Sequence, residues 1–163
     1  KIDVLIGTMS KSLGSIGGFV LTHEWFEREL RYMSPSYTSS RGSAPAVAGA
    51  TLASLNLLET EGEQLRRKLK ANTEFITVRL RKAGFNLLNT RSQIVPVVVG
   101  TEDKTVAVAQ WLWGRGIVVA PFAYPHVPLG SGRLRVGVSS THTTDECEQL
   151  IAALTEAKKE FDF

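Results

Sequence analysis

The sequence is organised around residues 6–21, which read IGTMSKSLGSIGGFVL. An apolar run at residues 4–6 leads into a small polar turn that contains Lys11, and a glycine-rich loop then returns into a second apolar run at residues 19–21. This pattern predicts two strands, the first of them buried, with the lysine at a strand end rather than on a solvated face. A lysine amine confined in this way can act as a nucleophile near neutral pH, which would suit it to form a Schiff base with a carbonyl cofactor. A surface lysine in an ordinary turn is the simpler alternative.

The same stretch can be compared with the phosphate-binding P-loop. A P-loop requires glycine directly before its lysine and another glycine five positions before that one. Ser10 and Leu5 occupy these two positions, so the stretch is not a P-loop. Thr8, Ser10 and the backbone amides of the glycine-rich turn could still bind a phosphate group.

The residues around Lys11 resemble a motif of a known family. Thr-x-Ser-Lys-Ser-Leu-Gly at residues 8–14, followed by Gly-Gly-Phe at residues 17–19, resembles the pyridoxal 5'-phosphate (PLP) lysine motif of the α-oxoamine synthases. That family includes 8-amino-7-oxononanoate synthase, 2-amino-3-ketobutyrate coenzyme A ligase, aminolevulinate synthase and serine palmitoyltransferase. The resemblance implies that Lys11 holds PLP as a Schiff base and accepts the Cα proton of an amino acid, with Thr8 at the cofactor.

The reaction of this family indicates which activity to expect. The resemblance implies a PLP-dependent acyltransferase that joins an amino acid to an acyl-CoA in a decarboxylative Claisen-type condensation, as 8-amino-7-oxononanoate synthase does. A member similar to glycine C-acetyltransferase or serine palmitoyltransferase is the alternative within the family. The aspartate and histidine that contact the cofactor ring, and the glycine loop at its phosphate, lie upstream in these enzymes. A truncated chain that acts only as a dimerisation module is therefore the alternative from a different class.

Composition narrows the class of protein. The chain has 163 residues, of which 43% are hydrophobic, so it can form a core and is not disordered. Its net charge of +3 is spread along the chain and indicates neither a nucleic-acid surface nor a polybasic membrane patch. The single cysteine, Cys147, excludes an internal disulfide, and no apolar run is long enough to span a bilayer. We therefore expect a cytoplasmic protein.

The first residues predict that the chain is part of a longer protein. Lys1-Ile2-Asp3-Val4 enters the first predicted strand with no turn or cap, and domains seldom begin inside a central strand. The resemblance implies the C-terminal part of a fold type I PLP-dependent transferase, an α/β fold similar to aspartate aminotransferase. Residues 1–43 would end the large PLP-binding domain, residues 44–82 would form a connecting helix, and residues 83–163 would form the small α+β C-terminal domain.

A second candidate segment is rich in hydroxyl groups. Residues 34–43 read SPSYTSSRGS, and this composition favours a solvated loop before a helix. The resemblance implies more: a similar loop sends a Ser or Thr into the neighbouring subunit's site to bind the cofactor phosphate, and Ser40 is the matching residue. Arg41 and Gly42 depart from the small hydroxyl or amide residues of the family. A homodimer with shared active sites follows from this resemblance.

Apolar spacing predicts the remaining elements. Thr22 can cap a helix that follows the second strand, and residues 44–82 are helical, with a bend at residues 61–63. Residues 85–89, 93–99, 117–120 and 132–138 are predicted strands, and residues 101–114 are a predicted helix. The apolar stripe of the long helical region is Leu52, Leu55, Leu58, Leu65, Leu69, Ile76 and Leu80.

The last predicted strand carries two arginines on one face. Arg133 and Arg135 are two residues apart, and the period of a strand places them together. Such a pair usually marks a solvated edge, although a guanidinium fork can also bind a carboxylate. The resemblance implies that Arg135 binds the substrate carboxylate and that Arg133 supports it.

The C-terminal segment is predicted to be structural. Thr143 and Glu146 have the spacing of a capping box at the start of a helix, and Cys147 falls on its buried stripe. The resemblance also implies a structural role for His142. The remaining histidines, His23 and His126, are too distant in sequence from it to form a zinc motif, so no metal site is expected.

Overall fold

A computed structural model describes residues 2–163. Lys1, which begins the segment predicted to enter the first strand, lies outside the described residues. The chain divides into two compact units, one that ends at Glu63 and one that spans Gln64–Phe163. Within residues 2–163 no helix has both the length and the apolar character needed to cross a membrane.

The first unit begins with a β-hairpin. Strands β1 (Val4–Thr8) and β2 (Gly18–Thr22) are antiparallel, with Thr8 opposite Gly18, which confirms the two predicted strands. The predicted burial of the first strand is wrong for the described residues, since 76% of Ile6 is exposed. The physical reason is that β1 and β2 form a two-stranded sheet, which has too few strands to cover its own apolar side chains.

Two short helices follow the hairpin. Helix α1 (Glu24–Met33) begins after His23, so the predicted Thr22 cap is wrong. Thr22 remains in β2, and its hydroxyl donates a hydrogen bond to the carbonyl oxygen of Asp3 at 2.9 Å. Part of the hydroxyl-rich segment is also helical, because α2 covers Pro35–Thr38.

The predicted long helical region forms two helices. Helix α3 (Pro45–Thr60) and helix α4 (Gly62–Lys82) are interrupted at Glu61, which confirms the predicted break. The predicted stripe is wrong in α3 at Leu52 and Leu55, which are exposed, and is confirmed at Leu58, which is partly buried. The other partly buried positions of α3 share a face with Leu58, at a spacing of four, three and four residues: Val47, Thr51 and Ser54.

The second unit contains a three-stranded antiparallel sheet in the order β3-β5-β4. Most of α4 also belongs to this unit. Its other elements, in chain order, are β3 (Ile94–Gly100), α5 (Glu102–Trp113), β4 (Ala120–Phe122), β5 (Gly132–Gly137) and α6 (Thr144–Phe161). Predictions for β3, α5 and β5 are therefore confirmed to within two residues.

One face of the sheet forms the core together with the three helices. The alternation of side chains along β3 and β5 turns apolar residues to this face, where they are removed from water. The fully buried side chains of this core include Leu87, in the segment before β3, and others from α4, β3, α5, β5 and α6: Ile76, Leu80, Val95, Val97, Val108, Leu112, Leu134 and Leu154.

Two predicted strands differ from the structure. Residues 85–89 are not a strand: Phe85 and Leu87 are buried, but the Asn86 side chain accepts a hydrogen bond from the Leu88 amide at 3.0 Å and forms a local turn. Leu88 also has a positive φ of 51°, which ends any extended run. The strand predicted at residues 117–120 is shifted to Ala120–Phe122, where its proline is tolerated because β4 is an edge strand.

The start of α6 matches its prediction. The Thr143 hydroxyl accepts a hydrogen bond from the Glu146 amide at 3.2 Å, and the Glu146 carboxylate accepts one from the Thr143 amide at 2.8 Å. These two bonds confirm the capping box. Cys147 is buried in the core, as predicted, and this burial raises the pKa of its thiol.

Candidate active site

Lys11 lies in the loop between β1 and β2, and backbone hydrogen bonds within this loop hold it closed. The Met9 amide donates to the Gly17 carbonyl oxygen, and the Ser15 amide donates to that of Met9, each at 2.9 Å. Gly14 has a φ of 56°, a conformation that glycine adopts without steric cost, and its amide donates to the Lys11 carbonyl oxygen. The glycine-rich loop predicted from the motif therefore forms a defined, hydrogen-bonded turn.

The amine of Lys11 is exposed on this turn. The predicted confinement of the amine among strand ends is wrong for the described residues, because Lys11 lies at an exposed position of the loop between the two strands. Within residues 2–163, Lys11 Nζ has neither a hydrogen bond nor an ion pair. The amine can therefore react with a small molecule without first breaking a bond within the chain.

Two hydroxyl groups accompany the amine. Thr8 Oγ1 and Ser10 Oγ lie 2.9 Å apart, and the Ser10 amide donates to Thr8 Oγ1 at 3.2 Å. An amine and a pair of hydroxyls on one loop match the two ends of PLP. An amine can bind its aldehyde, and hydroxyl groups can contact its phosphate. Thr8, Ser10 and Lys11 thus lie on one short loop, and the structure joins the two hydroxyl residues by hydrogen bonds.

The Lys11 loop is fastened to α3 at several points. Ser54 Oγ donates to the Leu13 carbonyl oxygen at 2.9 Å, and Ser15 Oγ donates to the Val47 carbonyl oxygen at 3.1 Å. Thr51 Oγ1 lies 3.5 Å from the sulfur of Met9. Sequence reasoning missed these contacts, although the hydroxyl residues spaced along one face of α3 were a visible signal.

Ser40 lies in the turn after α2, and its side chain is exposed. Its hydroxyl donates to the Ser36 carbonyl oxygen at 2.6 Å and retains its capacity to accept a hydrogen bond. Within the described residues no hydrogen bond joins Ser40 to Thr8 or Lys11, so the structure does not assemble these three residues into one contact network.

A charged cluster connects α1 with the segment that contains Ser40. Arg31 donates to the Glu27 carboxylate at 2.6 and 2.8 Å, and also to the hydroxyl of Tyr37. The hydrogen bond to Glu27 raises the pKa of Arg31. A cavity of about 630 Å³ lies beside this cluster, between the hairpin, α1 and α2. Neither Lys11 nor Ser40 lines it, so it is separate from the lysine site.

In the second unit, Arg133 and Arg135 share one face of β5, as predicted, because Leu134 between them is buried in the core. Arg135 is exposed, and its guanidinium carbon lies 5.7 Å from the centre of the Phe122 ring. Arg133 is half-buried and donates from Nε to the Ser131 carbonyl oxygen at 3.2 Å. No carboxylate of residues 2–163 pairs with Arg135, which leaves its fork open to a ligand.

The turn after β5 is fixed by side chains. His142 Nδ1 accepts a hydrogen bond from the Ser139 amide at 3.2 Å, which is consistent with the structural role predicted for this histidine. His126 lies in the loop after β4, where its ring meets the edge of Phe122 at a centroid distance of 5.9 Å. These contacts give neither histidine a catalytic partner.

Comparison with known proteins gives these residues a context. The family model for aminotransferase class I and II matches residues 1–154. The 8-amino-7-oxononanoate synthase of Treponema denticola is 31% identical over 98% of this chain and 40% of its own length. That of Citrifermentans bemidjiense is 35% identical over 97% of this chain and 41% of its own length. This chain thus spans about two fifths of the length of these relatives.

A solved structure agrees with the sequence relatives. Serine palmitoyltransferase from S. paucimobilis, with bound PLP and myriocin, has a TM-score of 0.90 and 28% sequence identity to this chain. The match covers 99% of this chain and 41% of that one. The predicted fold type I architecture is therefore confirmed.

The chain belongs to the aminotransferase class I and II family, and its relatives and structural neighbours match the α-oxoamine synthases within it. PLP is the cofactor of this family. The family and the cofactor predicted from the sequence are thus confirmed, whereas the roles of the individual residues remain predictions.

Proposed function

We propose that the protein containing this chain is a PLP-dependent acyltransferase that condenses an amino acid with an acyl-CoA and releases coenzyme A and carbon dioxide. One observation carries the proposal for this chain. The amine of Lys11 is exposed and forms no hydrogen bond or ion pair within residues 2–163, and it lies on a hydrogen-bonded turn that also presents the paired hydroxyls of Thr8 and Ser10. This combination provides a covalent anchor and phosphate contacts on one short loop.

Each residue of this loop has a distinct proposed role. Lys11 holds the cofactor through its amine and, once released from it, takes the Cα proton of the bound amino acid. PLP supplies an electron sink that stabilises the resulting carbanion. Thr8 and Ser10 contact the phosphate from one side, and Ser40 contacts the phosphate in the site of a neighbouring subunit.

Arg135 is proposed to orient the amino-acid substrate. Its open guanidinium fork matches the two oxygens of a carboxylate, whereas the nearby Arg133 already donates to a backbone carbonyl. A bidentate pair fixes both the position and the direction of the substrate carboxylate.

The exposed apolar surface of the first unit supports a larger assembly. Ile6, Ile16, Trp25 and Leu52 are each at least 60% exposed, and large apolar patches are seldom left in water. We propose that further parts of the same protein and a second subunit cover them, in a homodimer with shared active sites. Residues 1–43, 44–82 and 83–163 would then be the end of the large domain, the linker and the small domain. A cytoplasmic location belongs to the same proposal, supported by the single, buried cysteine.

Borohydride reduction of the complete protein tests the central assignment. Reduction fixes a lysine–cofactor bond, and peptide mass mapping then locates the modified lysine. The proposal requires the label on Lys11. A label on another lysine, or a complete protein that shows no cofactor absorbance after PLP is added, would refute it. Release of carbon dioxide from carboxyl-labelled amino acid then separates a decarboxylating enzyme from a relative that retains the carboxylate.

A further inference from the structure

Ser54 differs from most hydroxyl residues in the described helices. Thr51, Thr60, Thr73 and Thr105 each donate a hydrogen bond to the carbonyl oxygen four residues earlier, although the Thr51 hydroxyl also contacts the Met9 sulfur of the loop. This is the ordinary use of a helical hydroxyl. Ser54 instead donates outside α3, to the carbonyl oxygen of a residue 41 positions away in sequence.

The acceptor of this bond is Leu13, two residues after Lys11. Leu13 is only 9% exposed, although Ser12 and Gly14 on either side of it are exposed. Its side chain is therefore held by packing and its carbonyl group is held by Ser54. Both constraints act on the residue that sets the direction of the loop just beyond the lysine.

A reciprocal bond holds the far side of the loop. Ser15 Oγ donates to the Val47 carbonyl oxygen of α3 at 3.1 Å. The helix thus donates a hydroxyl to the loop and accepts one from it, on either side of Gly14. Because glycine has no Cβ, this part of the loop has more backbone freedom than its neighbours. Without these two bonds the loop would keep its backbone closure and the contact between Met9 and Thr51, but Leu13 and Ser15 would no longer be bonded to α3.

We propose that Ser54 is a positioning residue of the lysine site, which acts through the Leu13 carbonyl to fix the direction in which Lys11 presents its amine. This inference rests on the proposed role of Lys11. Ser54 does not touch the cofactor or substrate. It keeps the amine in one orientation, so that capture of the PLP aldehyde does not require the loop to be ordered first.

The test compares three variants of the complete protein: Ser54→Ala, Ser54→Thr, which keeps the hydroxyl, and Thr60→Ala, which removes a hydroxyl that bonds only within α3. Two quantities are measured: amide hydrogen exchange of the peptide covering residues 9–17, and the rate at which the cofactor-free protein captures added PLP, followed by visible absorbance. Loss of one neutral hydrogen bond corresponds to about a fivefold change. Ser54→Ala should speed exchange and slow capture by about this factor.

Ser54→Thr should restore both quantities, and Thr60→Ala should change neither. Unchanged exchange and capture in Ser54→Ala, or equal losses in Thr60→Ala, would overturn the inference. If Ser54→Ala does not fold, Ser15→Ala removes the reciprocal bond and must give the same two changes. Lys11→Ala separates this inference from the proposed function: capture that persists in Lys11→Ala refutes the role of Lys11, while the exchange measurement still reports on Ser54.

Discussion

The side-chain amide of Asn72 donates hydrogen bonds to the carbonyl oxygen of His142 and to that of Ser139, each at 3.0 Å. Asn72 lies in α4, and the two carbonyl groups belong to the turn between β5 and α6. One side chain therefore fixes the end of the strand that carries Arg135. His142 reinforces the turn from within, through the bond from the Ser139 amide to its ring.

Asn72→Ala should destabilise the second unit because it removes both donors and leaves two partly buried carbonyl groups unpaired. We expect a loss of about 1–3 kcal/mol in the free energy of unfolding, measured by urea denaturation of the complete protein. Gln110→Ala, at an exposed position of α5, is the matched control and should have little effect. Equal stability of the two variants would contradict the role assigned to Asn72.

Glu146 should make stability depend on pH. The hydrogen bond from the Thr143 amide, followed by that from its hydroxyl, lowers the pKa of the Glu146 carboxyl in the folded protein. A lowered folded-state pKa means that the stabilisation is present above the unfolded-state pKa and is lost as the pH falls through the folded-state value. The free energy of unfolding should therefore decrease on acidification.

Glu146→Gln should reduce this dependence, since glutamine does not titrate. Unfolding is measured at several values between about pH 6 and pH 3, the range in which carboxyl groups titrate. Glu148→Gln, at an exposed position of the same helix, is the control and should retain the parent's acid response. A Glu146→Gln profile that parallels the parent would show that the capping bond does not contribute.

Local sequence patterns predicted those features that depend on neighbouring residues. The hairpin around Lys11 follows from two apolar runs and the glycines between them. The shared face of Arg133 and Arg135 follows from the period of a strand, and the capping box at Thr143 follows from its three-residue spacing. Each of these needs only a few consecutive residues, so no tertiary information was required.

Features that depend on distant residues could not be predicted in this way. The bond from Ser54 joins residues 41 positions apart, and the bond from Asn72 to His142 joins residues 70 positions apart. Nothing in either local sequence specifies its partner. In α3 the partly buried face includes Thr51 and Ser54, whose hydroxyls contact the Lys11 loop, whereas Leu52 and Leu55 are exposed in the described chain.

The sharing of active sites between subunits can be tested by mixing two inactive variants. If Ser40 serves the neighbouring site, a hybrid of a Lys11→Ala subunit and a Ser40→Ala subunit has one site with both lesions and one with neither. Random mixing makes about half of the dimers hybrid, so activity should rise to about a quarter of the parent value. The measurement is coenzyme A release after the two proteins are unfolded and refolded together.

Each variant refolded alone provides the baseline for this experiment. A Ser40→Ala protein with full activity would remove Ser40 from the site. Two impaired variants whose mixture remains at the mean of the two baselines would instead mean that Lys11 and Ser40 serve the same subunit's site, or that Ser40 acts through the fold.

Arg135 should determine the affinity for the amino-acid substrate. A charged hydrogen-bonded contact is worth about 1.5–3 kcal/mol, so Arg135→Lys should weaken amino-acid binding by roughly ten- to a hundredfold, because an ammonium group cannot reproduce the guanidinium fork. The affinity for acyl-CoA should change little. Binding is measured from the change in cofactor absorbance as the amino acid is titrated into the complete protein.

Arg133→Lys is the internal control for this prediction, since Arg133 and Arg135 lie on the same face of β5 but Arg133 is half-buried and donates to the Ser131 carbonyl oxygen. Its replacement should affect stability more than substrate affinity, because its guanidinium already has a partner within the chain. Within residues 2–163 the guanidinium of Arg135 lies beside the Phe122 ring and forms no hydrogen bond, so its fork can bind a ligand without breaking one. If Arg133→Lys loses amino-acid affinity while Arg135→Lys binds as the parent does, then the carboxylate is bound by Arg133, and the open geometry of Arg135 is that of an ordinary solvated arginine.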